Sequence, residues 1–201
     1  MPNPTTRGRA SGHPRPRRRP TPRAGFTLLE LSVATVVGVI AMMLLTRMIG
    51  ALDKQKRINR ERALAAAATA NLLERMRGED FGEVFALYNQ DPADDPGGAG
   101  SAPGARFAVD GLAPAEDSPD GLTGEITFAD VAGAGTARLL REDVANDLLG
   151  TPRDLNGDSM IDGDDHAADY YLLPISIRIR WQGGIGPREL VTTTQLCDFT
   201  P

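Results

Sequence analysis

The chain has 201 residues, with 22 Lys+Arg against 27 Asp+Glu, one cysteine and two histidines. That length allows one ordinary domain with appendages, and a lone Cys197 excludes a disulfide framework or a cysteine-rich zinc site. With His13 and His166 as its only imidazoles, the chain is poorly equipped for a histidine-based triad or a multi-histidine metal enzyme.

The charge is unevenly placed. Residues 1–25 hold seven Arg, six Pro and no acid, which leaves 15 bases and all 27 acids to the rest. This stretch has too little apolar surface to pack a core, and it reads as a targeting or topology segment. It lacks the aromatic residues of a nucleic-acid arm. Phe26 to Leu45 follows as FTLLELSVATVVGVIAMMLL, 20 residues with one charge, Glu30. As a helix it extends roughly 30 Å, the thickness of a bilayer's hydrocarbon core. The run is too long for a secretory signal, and no small-residue cleavage pattern precedes Arg47. Flanking charge does not fix orientation: seven Arg precede the span, and six Lys or Arg follow it between Arg47 and Arg62.

The junction is more specific. Arg23-Ala24-Gly25-Phe26-Thr27-Leu28-Leu29-Glu30, followed by Leu31 and Val33, resembles the processing site of type IV pilins and type II secretion pseudopilins. The resemblance covers the leader and first helix. It implies a cut between Gly25 and Phe26 by prepilin peptidase on the cytoplasmic face, then N-methylation of Phe26. It implies a single pass through the inner membrane, a periplasmic head, and later assembly with other pilin subunits. The chemistry is coherent. Glycine offers no side chain to the protease cleft, and an unpaired Glu30 costs roughly 2.5–3.5 kcal/mol in a bilayer. Cleavage creates an amine at Phe26, one helical turn from Glu30, to pair with it or, as the family implies, with a neighbouring subunit's Glu.

Further on, Arg47 to Arg77 is rich in helix formers, including Ala65 to Ala68. Leu52, Ile58, Ala65, Leu72 and Met76 form an apolar stripe, with Lys54, Lys56, Arg60 and Glu61 assigned to the other side. Gly78 supplies a stop. The reading is one helix over 26–77, roughly 78 Å long, membrane-spanning over about 26–45 and amphipathic beyond. The head, 78–201, opens with a helical extension over Glu79 to Tyr88. Asn89 to Gly121, with five Pro and six Gly, is loop with a short strand near Arg106–Val109. A strand is expected over Leu122–Phe128 and a short amphipathic helix over Ala137–Leu149. Ile175, Ile177, Ile179 and Trp181 then alternate with polar residues, and a Gly/Pro turn leads into Thr/Val-rich Glu189–Leu196. That is a hairpin over 172–196. The fold class is α+β: a long N-terminal helix packed on a small antiparallel sheet, as in pilins.

One loop carries metal chemistry. Asp154, Asn156, Asp158, Asp162 and Asp165 occupy positions one, three, five, nine and twelve of a twelve-residue loop, and Met160 at seven offers its carbonyl. Hard oxygens at this spacing suit Ca²⁺. The loop resembles EF-hand loops, and more closely the dockerin type. Ile161 is the expected apolar anchor. Ser159 stands where the motif places glycine, and Asp165 is shorter than the usual bidentate Glu. Zinc is disfavoured because His166 is the one softer ligand nearby. The span 79–169, with 21 acids against four bases, opposes nucleic-acid binding by the head.

No nucleophile, base and orienter arrangement is visible, so no enzyme is expected. Two functions remain open. One is a structural subunit, a minor pilin or pseudopilin of a type IV pilus or type II secretion pseudopilus. The other is an uncleaved, single-pass membrane-anchored calcium-binding or adapter protein.

Overall fold

The computed structural model describes residues 25–198. The leader up to Ala24 and residues 199–201 lie outside the described residues, so the reading of the basic leader rests on sequence alone. The fold class agrees at the coarse level: one long apolar N-terminal helix and a small antiparallel sheet. The helix, α1, spans Leu28–Gly78. The chain divides after Met48 into two compact units.

In the first unit, Thr27 caps α1, its Oγ1 accepting from Glu30 N at 3.2 Å. Thr27 and Glu30 thus stand at the N-cap and N3 positions, with the acid at the positive end of the helix. The hydroxyls of Ser32, Thr35 and Thr46 each donate to a carbonyl one turn back, at 2.8–2.9 Å. The apolar run therefore satisfies its own hydroxyls, a requirement for any helix placed in lipid. Every described residue of this unit is exposed.

In the second unit, the rest of α1 contributes one face to a core. Ala65, Thr69 and Met76 are buried, while Lys54, Lys56 and Arg60 are exposed. Glu61 departs from expectation. It lies within the buried stripe, where Oε2 accepts from Trp181 Nε1 at 3.3 Å and Oε1 from Arg57 Nε at 3.0 Å. Burial pushes its carboxyl up, but the bonds from Trp181, Arg57 and the Gly184 backbone hold it below the usual value.

After Gly78 the chain makes a 3₁₀ turn over Phe81–Glu83, capped by Asp80, and a short helix, α2, over Val84–Tyr88. Four strands, β1 (Arg106–Phe107), β2 (Gly124–Thr127), β5 (Leu172–Gly183) and β6 (Gly186–Cys197), form one antiparallel sheet in the order β1-β2-β5-β6. Ile175, Ile177 and Ile179 on β5 are fully buried, as their two-residue spacing requires. Gly124 is needed at β2, because a Cβ there would meet the Phe107 ring at 2.3 Å. The expected strand near 106–109 shortens to Arg106–Phe107, and that over 122–128 to Gly124–Thr127. Free Cys197 closes β6, half-buried.

The helix expected over Ala137–Leu149 is absent. That stretch holds β4 (Arg138–Leu140), paired with β3 (Asp130–Ala132), then turns. Leu140 and Glu142 are both fully buried with Arg141 between them half-buried, a period of two rather than 3.6. The buried acid has backbone partners across a loop, which no helix would have supplied.

Tyr170 ties the helical turn to the sheet. Its Oη donates to Phe81 O at 2.5 Å and accepts from Phe85 N at 3.2 Å, and its ring packs on Phe81 at 5.0 Å. Burial, with the charge of Asp80 adding, pushes the phenol up to about 12. Because the folded value lies above the unfolded 10.0, this stabilisation is complete below pH 10.0 and is lost as pH rises toward about 12. Tyr170→Phe is expected to cost about 1–3 kcal/mol at neutral pH and to flatten this alkaline loss. Urea midpoints at neutral and alkaline pH measure both; an alkaline slope unchanged by the substitution would refute the assignment.

Candidate functional site

Gly25, Phe26 and Thr27 precede the first turn of α1 in non-helical backbone. Phe26 is exposed, and a Cβ built on Gly25 meets nothing within 4 Å. Glu30 lies in the first turn, and among the described residues no side chain bonds its carboxylate. The junction is therefore open, next to an acid without a partner.

The loop over 154–165 wraps its backbone around its own acids. Asp154 Oδ1 and Oδ2 accept from Gly157 N at 2.6 Å and Ser159 N at 2.8 Å. Asn156 Oδ1 accepts from Asp158 N, and Asp158 Oδ1 from Met160 N. Ser159 has φ 70°, the one positive φ at a non-glycine residue among those described. Position six therefore adopts the left-handed conformation that the motif gives to glycine. Ile161 is not the anchor: it is exposed, as is Met160. Leu155 takes that role, fully buried, with its carbonyl accepting from Tyr171 N and Leu172 N at 2.8 and 3.0 Å. Position two is thereby fixed to β5.

Two expected ligands have partners outside the turn that the first three wrap. Asp165 Oδ1 accepts from Leu140 N at 3.0 Å and Ala167 N at 3.2 Å. Asp162 Oδ1 lies 3.1 Å from His166 Nε2. Here the structure adds Glu142, which sequence reasoning missed, and gives a place to His166, which it had set aside. Glu142, fully buried, accepts through Oε1 from Leu155 N at 2.6 Å and Asn156 N at 3.2 Å, and through Oε2 from Asp162 N at 3.4 Å. His166, also buried, sets Nε2 3.9 Å from Glu142 Oε2 and Nδ1 3.2 Å from Asp169 Oδ1. Among the described residues, Glu142, Asp162 and His166 are the group whose ligand atoms converge within 4.8 Å. Burial lowers the His166 pKa, but the bond to Asp162 and the charges of Glu142 and Asp169 outweigh it, so the imidazole titrates above its ordinary range. Asp162 is held low by the Asp164 backbone N–H first and by His166 second.

Compared with family models, curated proteins and solved structures, the chain matches none of them. The class defined by the fold is thus an α+β protein whose first helix is apolar and long enough for one membrane span.

Proposed function

We propose that the protein is a pilin-like structural subunit, a minor pilin or pseudopilin, processed by prepilin peptidase between Gly25 and Phe26. The observation that carries this reading is the first part of α1. Its most apolar window has mean hydropathy 2.3, and none of it is buried. A helix of this kind requires lipid or other helices around it. The span would hold the subunit in the inner membrane with its head in the periplasm. The same apolar surface would then pack against other subunits in a type IV pilus or type II secretion pseudopilus. Glu30, unpartnered among the described residues, would meet the new Phe26 amine of its own or a neighbouring subunit. The test is the mass of the N-terminal peptide from membranes: a chain beginning at methylated Phe26 is expected, and an intact leader would favour the uncleaved adapter.

The head is further proposed to bind Ca²⁺ through Asp154, Asn156, Asp158, the Met160 carbonyl and Asp165, with Asp162 acting through water as position nine often does. The φ of Ser159 supports this, since the turn does not depend on glycine here. Asp165 has Oδ2 available to close the loop. Calcium at one hundred times its dissociation constant should stabilise the head by about 2.7 kcal/mol. Asp158→Ala with Asp162→Ala should abolish the calcium-dependent gain; in chelator it should be somewhat less stable than wild type, because the Asp162 bonds to His166 and the Asp164 amide are lost along with the like-charge repulsion. A thermal melt of residues 49–201 with and without calcium decides it, and an unshifted wild-type midpoint removes calcium from the function. The fragment must begin near residue 49, because Ala65 and Met76 belong to the core.

A further inference from the structure

We infer that the head holds a second, softer cation site, in which Zn²⁺ is bound by His166 Nε2, Glu142 Oε2 and Asp162 Oδ1. This does not rest on the pilin reading; it shares Asp162 with the proposed calcium loop, where that residue acts only through water.

The argument begins with charge. His166 and Glu142 are buried, and the imidazole is surrounded by the carboxylates of Glu142, Asp162 and Asp169. Among the described residues, none of these three acids forms an ion pair with a lysine or arginine. The Arg141 guanidinium, whose charge is felt at Asp162, is paired with Asp143. A buried carboxylate without a cation is costly.

The geometry of the ring then specifies where the cation belongs. Nδ1 lies 3.2 Å from Asp169 Oδ1 and 3.5 Å from Asn156 Nδ2, and the proposed site uses the tautomer in which Nδ1 donates to the Asp169 carboxylate. Nε2 then directs a lone pair at Asp162 Oδ1, 3.1 Å away, and Glu142 Oε2, 3.9 Å away. Three acceptors facing one another need an electrophile between them, either a proton or a metal ion. Zinc at roughly 2.0–2.2 Å from each donor in a tetrahedral arrangement spaces the donors by roughly 3.4 Å, which the two observed separations bracket. An imidazole whose other nitrogen donates to a carboxylate is the usual outer partner arrangement of a zinc-bound histidine. A hard cation gains little from the imidazole nitrogen, so the donor set favours zinc over calcium.

The fold supplies the rest. Glu142 is oriented by the amides of Leu155, Asn156 and Asp162, and its backbone carbonyl accepts from Arg153 N. His166 is held by its own N–H to Leu140 O at 2.8 Å. Asp162, the half-exposed member, is the side from which an ion enters. The three donors leave a fourth position to water.

The experiment uses the full chain in detergent micelles, stripped with chelator and titrated calorimetrically with zinc chloride at mildly alkaline pH. One equivalent is expected to bind. His166→Gln should abolish it, and Asp169→Asn, at an exposed residue that cannot upset the core, should weaken it 10–100-fold. Circular dichroism checks that each variant is folded. No stoichiometric zinc in the wild-type chain would overturn the proposal and leave a proton as the cation at Nε2. Zinc lost in Asp158→Ala as fully as in His166→Gln would also overturn it, by moving the ion to the acidic loop. Neither result bears on whether calcium shifts the melt or whether the leader is cut.

Discussion

Gly25→Val is expected to leave the chain at its full, unprocessed length in the membrane. Two features make the outcome informative. Among the described residues a Cβ at position 25 meets nothing within 4 Å, so the substitution meets no steric obstacle there. The residue also lies outside α1, which begins at Leu28, so helix propensity is not at issue. Under the proposed peptidase reading, a failure of processing would arise in the protease cleft, where the backbone has to pass without a branched side chain. Gly25→Ala should process slowly and Gly25→Val not at all. Gel mobility and the N-terminal mass read both. Mature-length protein from the valine variant would refute the peptidase assignment, and with it the reading of Phe26 as the new terminus.

What the sequence made legible follows from the range of the interactions involved. The long N-terminal helix and the β5–β6 hairpin are written in local periodicity, and both appear close to their expected bounds. The stretch after Ala137 misled because its order is set from outside: Leu140 N donates to Asp165 and Glu142 accepts from residues 13 to 20 positions away. No windowed pattern contains such partners. Ile161 and Leu155 illustrate the same limit, since two aliphatics in one loop differ only in which backbone β5 reaches. The motif spacing identified Asp154, Asn156 and Asp158 as a group that wraps one backbone turn. It could not show that Asp162 turns to a histidine four residues on, because the deciding partner, Glu142, is twenty residues upstream. His166 adjoining an acidic run was the one available signal, and it carried little weight alone.

Glu61 is the sharpest case, because helical periodicity places it near the stripe while its charge argues that it belongs on the wet side. The structure resolves the conflict through Trp181, whose indole N–H needs an acceptor once the ring is 1% exposed. Glu61 is that acceptor, with Arg57 and, at 4.0 Å, Arg188 offsetting its charge. Arg57 is mostly exposed, so its ion pair contributes little, and the burial is supported mainly by the indole. Trp181→Ala should therefore cost about 3–5 kcal/mol from the lost ring alone, a large part of the roughly 5–15 kcal/mol of a typical domain. Glu61→Leu should cost about 3 kcal/mol or more, since it strands the indole N–H and the Arg188 guanidinium, whose Nε already lacks a hydrogen-bond partner. Glu61→Gln, which keeps an acceptor of the same shape, should cost about 1 kcal/mol. The acid arm follows from the depressed carboxyl: this stabilisation is present above the unfolded value of 4.5 and is lost as pH falls through the lower folded value. Urea titrations of residues 49–201 measure each term. A double-mutant cycle should give a coupling of about 0.5–3 kcal/mol between Glu61 and Trp181. A Glu61→Leu fragment as stable as wild type would mean that the stem rests on the sheet by apolar packing alone, with the indole N–H satisfied elsewhere.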